Sequence, residues 1–153
     1  MSLRKYLPRG VSEDTFLMLQ PIIEAETLSK QQKYVEAEAR YLEALNDFPP
    51  GSGGRFLIYN KLGILYERTE NLDRALEVYR EGVEEGSITP FPYHRLAILS
   101  LNAGAFGEAL NYCDRGVKVL RKAHTGFFQE IYFWCLFKNL KRKIRHSQRS
   151  LKG

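Results

Sequence analysis

Histidines and cysteines are the side chains of this chain best suited to metal binding or to nucleophilic catalysis, and they stand apart. His94, His124 and His146 are isolated, and no Cys, His, Asp or Glu cluster has the spacing of metal ligands. Cys113 and Cys135 lie within apolar helical patterns, where a buried, reduced and unreactive thiol is expected. The sequence therefore predicts neither a metal nor a cofactor.

A glycine-rich stretch at residues 51–55, Gly-Ser-Gly-Gly-Arg, is the one segment with the composition of a phosphate loop. It lacks the terminal Lys-Ser/Thr of such loops and no strand precedes it, so we interpret residues 50–54 as a flexible spacer. No serine or cysteine has the context of an activated nucleophile. We therefore expect a protein that is not an enzyme.

Charge is distributed unevenly along the 153 residues, whose formal net charge is +5. Seven basic residues and no acid follow position 137, whereas residues 1–137 carry 16 basic and 18 acidic side chains. The longest apolar run, residues 131–137, is far shorter than the ~20 residues of a membrane span. With no leader-like N-terminus and no disulfide framework, a cytoplasmic protein without membrane insertion is expected.

A repeat of 34 residues organises the middle of the chain. Two series match at that offset: Tyr59, Leu62, Gly63, Ala75 and Gly82, and Tyr93, Leu96, Ala97, Ala109 and Gly116. A third, Ala37, Tyr41 and Ala44, lies 38 residues before Ala75, Tyr79 and Gly82. Apolar spacings of three and four mark amphipathic helices, and small residues allow paired helices to approach closely. The pattern predicts stacked helical hairpins.

This pattern resembles the tetratricopeptide repeat, W-x2-L-G-x2-Y followed by A-x3-F-x2-A and P, with tyrosine or cysteine at some aromatic positions. The resemblance implies an all-α fold, a right-handed α-solenoid of antiparallel helix pairs. We expect an N-terminal extension at residues 1–17, partly helical, which Pro21 separates from the next helix. Three repeats at about 18–51, 56–89 and 90–123 and a capping helix with a basic tail at 124–153 follow.

In that family the first helix of each unit lines a concave groove that holds peptides, which implies groove residues here. They are Leu57, Asn60, Ile64 and Glu67 in the second unit and Phe91, His94, Arg95, Ile98 and Leu101 in the third, with Leu19, Ile22 and Glu26 in the first. The carboxylate clamp of some relatives is not expected, because only Arg95 is retained and Glu26 repels a carboxylate. The groove is predicted to be apolar and to suit an amphipathic helix or an extended segment.

The predicted capping helix is apolar on every side between residues 131 and 137. One interpretation packs Phe127, Ile131 and Trp134 on the third repeat. Another gives a face of Phe133, Trp134 and Phe137 to a second copy or a partner helix, and a third is that a further repeat follows. The basic residues Lys141, Arg142, Lys143 and Arg145 are either anion contacts or a solvated helix end.

The function predicted from these features is a non-catalytic scaffold or adaptor that binds a protein or peptide ligand. Alternatives are a small secretion or assembly chaperone of the same repeat type, which the basic tail counts against, and an adaptor for nucleic acid or anionic surfaces. Self-assembly into a homodimer is a further alternative. Nucleic acid is the less favoured partner, because the basic residues are confined to the tail.

Overall fold

A computed structural model describes residues 13–122 and 127–151 of the chain. These residues form seven helices: α1 (Glu13–Lys30), α2 (Tyr34–Asp47), α3 (Gly53–Arg68), α4 (Leu72–Glu84), α5 (Phe91–Asn102), α6 (Phe106–Lys122) and α7 (Phe127–Ser150). No strand occurs within the described ranges. Residues 1–12 of the predicted extension and His124 lie outside them.

Consecutive helices pack as antiparallel hairpins. The most extensive contacts join α1 with α2, α3 with α4, and α5 with α6, and smaller contacts join each hairpin to the next. Helix α7 packs on α6 and also touches α5. This arrangement confirms the predicted all-α solenoid of helix pairs.

Helix ends are set by local backbone chemistry. The side chain of Asn71 accepts a hydrogen bond from the Arg74 N–H and caps α4, while Gly86 and Gly104 follow α4 and α5 with φ of 96° and 75°. Such positive φ values favour glycine, which ends both helices. The glycine-rich spacer is shorter than predicted, because Ser52 accepts from the Arg55 N–H and α3 already begins at Gly53.

The predicted close approach of paired helices occurs at Gly63. A Cβ atom placed on Gly63 in α3 would lie 2.3 Å from the ring of Tyr79 in α4, which is fully buried. Ala75, also fully buried, lies one turn before Tyr79 on the same helix. Only the absence of a side chain at Gly63 lets the Tyr79 ring lie flat against the α3 backbone.

Pro21 does not separate two helices, so that prediction is wrong. It lies inside α1, which runs unbroken from Glu13 to Lys30. Proline removes one backbone hydrogen bond, but Ile22 and Ala25 immediately after it are buried in the core shared with α2 and α3. Burial of these two side chains offsets the lost hydrogen bond and keeps the helix continuous.

The face of α7 that packs on the solenoid differs from the predicted one. Its buried residues are Phe133, Phe137, Leu140 and Ile144, and a Cβ atom on Gly116 of α6 would lie 2.3 Å from the Phe137 ring. Ile131 and Trp134, predicted to pack on the third repeat, are 45% and 48% exposed, and the Phe127 side chain lies outside the described part. The 34-residue period therefore does not extend into α7.

Two further predictions are corrected by this rotation of α7. Phe133 and Phe137 cannot belong to an exposed assembly face, because they are buried within the chain itself; of the three predicted residues only Trp134 is exposed. Cys135 lies on the exposed side of α7, whereas Cys113 in α6 is buried as expected.

Candidate functional site

A cleft of about 380 Å³ lies between α3 and α5, on the side of the solenoid where the sequence placed the groove. Its lining residues are Ile64, Glu67, Arg68, Phe91 and Arg95. Four of these were predicted as groove residues, and only Arg68 was not. The amphipathic spacing of α3 brings Ile64, Glu67 and Arg68 to one side of the helix, because positions three and four apart are neighbours on a helix surface.

An ion pair across the two repeats forms the polar part of this cleft. The Arg95 Nε donates to the Glu67 Oε1 at 2.9 Å, and a terminal guanidinium nitrogen donates to the other carboxylate oxygen. The buried Tyr79 hydroxyl donates to the Glu67 Oε1 at 2.8 Å. Hydrogen bonding to Glu67 raises the pKa of Arg95, and burial raises the pKa of Tyr79. The bidentate geometry fixes both side chains before any ligand arrives.

The apolar part of the cleft consists of Ile64 and Phe91, both of which are half-buried. The Phe91 ring meets the Tyr79 ring edge-on, with 6.2 Å between centroids and an angle of 66°. Aromatic pairs favour this geometry, so the exposed side of Phe91 is held in a defined orientation. The cleft therefore offers two fixed apolar contacts beside a neutralised charge pair.

The other predicted groove residues are dispersed. Leu57 is 39% exposed and Asn60 half-buried on α3, while Ile98 packs partly against the core. Leu101 is buried in the core and does not face the groove. The His94 ring contacts the Phe137 ring of α7 at 5.7 Å, and burial lowers the pKa of His94. The third unit thus contributes less open apolar surface than predicted.

A second ion pair of the same kind was missed by the sequence analysis. Lys61 of α3 donates to Glu26 of α1 at 3.1 Å, and this bond lowers the pKa of Glu26. Lys61 and Arg95 stand 34 residues apart, and each bonds to an acid on the first helix of the preceding hairpin. A basic residue recurring at the repeat offset was the signal that could have identified both pairs.

The predicted anion contacts of α7 fall on different sides of the helix. Lys141 bonds to Asp114 of α6, while Arg142, Lys143 and Arg145 are exposed. Arg142 and Arg145 line an open concavity together with Lys138 and Arg149, and the Lys138 ammonium lies 4.7 Å from the centroid of the Trp134 ring. The exposed cations thus follow the Trp134 side of α7.

Within the described ranges, no group of three or more His, Cys, Asp or Glu side chains is placed to hold a metal ion. No helix among those residues is both long enough and apolar enough to cross a membrane.

Solved structures with similar folds were found, although no protein-family model and no curated protein sequence matches the chain significantly. PcrH, solved in complex with the chaperone binding region of PopD, is 15% identical with a TM-score of 0.68, and the match covers 93% of this chain and 99% of PcrH. The Yersinia enterocolitica type III secretion translocator chaperone SycD is 19% identical with a TM-score of 0.67, covering 97% of this chain and 96% of SycD. The Sgt2 TPR domain from Aspergillus fumigatus is 15% identical with a TM-score of 0.63, covering 94% and 88%. The resemblance seen in the sequence is confirmed at the level of the fold: the chain is a tetratricopeptide-type helical repeat followed by a C-terminal helix.

Proposed function

We propose that the chain is a protein-binding module whose cleft between α3 and α5 holds a segment of another protein. The observation that carries the proposal is the pairing of two half-exposed apolar side chains, Ile64 and Phe91, with the fixed Glu67–Arg95 ion pair. Binding sites combine such apolar walls with a few oriented polar groups. The similar fold of PcrH, which was solved with a region of PopD, supports a peptide as the ligand class.

The chemistry of the cleft narrows the kind of segment that fits. Ile64 and Phe91 favour apolar anchors from an amphipathic helix or an extended peptide. The Arg95 guanidinium is already bonded to Glu67, so a ligand carboxylate gains little from it. The ligand is therefore recognised by apolar side chains, with no requirement for an acidic terminus.

A peptide-display selection against the full chain tests this function. Peptides selected from a random library are titrated against the wild-type chain, Ile64→Glu and the control Val35→Glu, whose position on α2 is 82% exposed. The Ile64→Glu substitution places a charge against the apolar anchor and weakens binding by about tenfold or more, whereas Val35→Glu leaves it unchanged. Circular dichroism should show the same helicity for all three chains.

Equal affinity of the selected peptides for the wild-type chain and for Ile64→Glu would show that this cleft is not the binding site. Failure of the selection to yield any peptide that binds would contradict the proposed ligand class.

A further inference from the structure

The first hairpin carries a second and larger cleft, of about 690 Å³, on the side that α3 does not cover. All of its lining residues belong to α1 or α2. Its apolar part is formed by Ile23, Leu28 and Ala39, and its charged part by Glu24, Glu36 and Glu43 with a single arginine, Arg40. Arg40 bonds to Glu43 at 2.8 Å and lies 3.8 Å from Glu24, so the cleft keeps an excess of negative charge.

The last helix of the described stack carries the opposite charge on its exposed side. Ile131 and Trp134 are about half exposed, and Lys138, Arg142 and Arg145 follow them at helical spacing. Steps of three or four residues place all five side chains along one stripe of α7. We name these five residues the α7 stripe. It is apolar at its beginning and cationic towards its end, and no acidic residue lies within it.

Solenoids ordinarily cover their terminal units with polar surface, because a stacked face is otherwise left open. Here both ends of the described stack combine exposed apolar side chains with charge, and the two charges are opposite. We infer that the α7 stripe of one copy docks in the α1–α2 cleft of a second copy. Ile131 and Trp134 then contact Ile23, Leu28 and Ala39, while the cations face Glu36 and Glu43.

This interface joins two different surfaces of the same chain, head to tail. A symmetric contact between two α7 stripes or between two α1–α2 clefts sets like charges against each other and is disfavoured. A head-to-tail contact leaves one free surface at each end, so assembly continues into longer chains or closes into a ring.

A nucleic acid is the other ligand that the cations of the α7 stripe suit, since phosphates bind lysine and arginine. A second copy explains more of the molecule, because it also covers Ile131 and Trp134 and satisfies the acidic cleft at the opposite end. The experiment distinguishes these two occupants.

Sedimentation velocity on the full chain tests the inference with one variant for each surface. Ala39→Arg blocks the cleft and Trp134→Lys disrupts the stripe; both positions are exposed, and neither variant repairs the other's defect. The wild-type chain is expected to gain mass with concentration, beyond twice the 17.7 kDa of one copy. Each variant alone stays at the mass of one copy. An equimolar mixture of the two variants forms a dimer and nothing larger, because only one intact cleft and one intact stripe can meet.

The matched control is Lys118→Glu with Lys122→Glu, which changes the charge of exposed positions on α6 and should associate as the wild type does. If Trp134→Lys loses helicity, Arg142→Glu with Arg145→Glu replaces it in measurements of that variant alone. A wild-type chain that stays monomeric at all concentrations, or a variant mixture that fails to form the dimer, overturns the inference. So does a wild-type chain that gains mass only when a single-stranded RNA oligonucleotide is added.

Discussion

Arg95 of α5 bonds through both edges of its guanidinium to Glu67 of α3, 28 residues earlier. Since Glu67 also accepts a hydrogen bond from Tyr79 of α4, one carboxylate joins three helices from two hairpins. Its side chain is only 16% exposed, so water contributes little to its solvation. The carboxylate is therefore both a structural link between the hairpins and the polar floor of the proposed binding cleft.

Removal of one partner should expose this dependence. Arg95→Ala leaves the Glu67 carboxylate with Tyr79 alone, and we expect a loss of about 1–3 kcal/mol in the free energy of unfolding. The double variant Glu67→Leu with Arg95→Leu removes both charges and should be more stable than Arg95→Ala. Urea unfolding measures both. Arg74→Ala, which breaks a half-exposed pair with Glu77, is the control and should cost less than about 0.5 kcal/mol.

Glu85 predicts how stability depends on pH. Arg55 donates to it at 2.6 to 3.0 Å, the Tyr59 hydroxyl at 2.6 Å and the Gly51 N–H at 3.1 Å. These hydrogen bonds, foremost those from Arg55, lower the pKa of Glu85 to about 2 from an ordinary value of 4.5. A lowered pKa in the folded state contributes stability above pH ~4.5 that is lost as the pH falls towards 2.

The test compares Glu85→Gln with the wild-type chain by urea unfolding at several pH values. At pH 7 the variant should be less stable by about 2 kcal/mol, a figure reduced from the full shift because the Glu85 side chain is 22% exposed. The difference should shrink between pH ~4.5 and 2. The exposed neighbour Glu84 supplies the control Glu84→Gln. A difference that stays constant down to pH 2 would mean that the carboxylate charge contributes nothing.

Gly63 and Gly107 give a matched pair of glycine substitutions. A Cβ atom at Gly63 would collide with the Tyr79 ring, whereas one at Gly107 in α6 has no atom within 4 Å. Gly63→Ala should therefore destabilise the fold by about 1–3 kcal/mol through overpacking. Gly107→Ala should be neutral or stabilise it by up to about 1 kcal/mol, since alanine restricts the unfolded chain. Thermal unfolding of both variants decides; equal melting temperatures would show that α3 and α4 have room to separate.

The middle of the fold could be predicted from the sequence because its determinants are local and periodic. Gly63 and Tyr79 belong to a pattern that recurs after 34 residues, and each recurrence marks the same contact between paired helices. The Glu67–Arg95 pair was not predicted, although both residues were placed in the groove. Whether two charges on successive hairpins meet depends on the superhelical twist, which residue types alone do not specify.

The orientation of α7 was not predicted because its apolar run has no polar side. Between residues 131 and 137 every rotation of the helix buries apolar side chains, so periodicity in that window favours none of them. Leu140 and Ile144 held the missing information. They are apolar within the basic tail, and with Phe133 and Phe137 they form a spacing of four, three and four that defines the buried stripe.

The two cysteines test this orientation of α7 directly. Burial raises the pKa of the Cys113 thiol to about 11, so little reactive thiolate forms at pH 8, whereas Cys135 is exposed on α7. The native chain should release one equivalent of thionitrobenzoate from Ellman's reagent rapidly, and a second only after unfolding in urea. Cys135→Ser should abolish the rapid phase and Cys113→Ser should leave it intact. If Cys113→Ser instead removed the rapid phase, Cys135 would be the protected thiol, and α7 would have to be rotated towards the face on which Ile131 and Trp134 pack on the third hairpin.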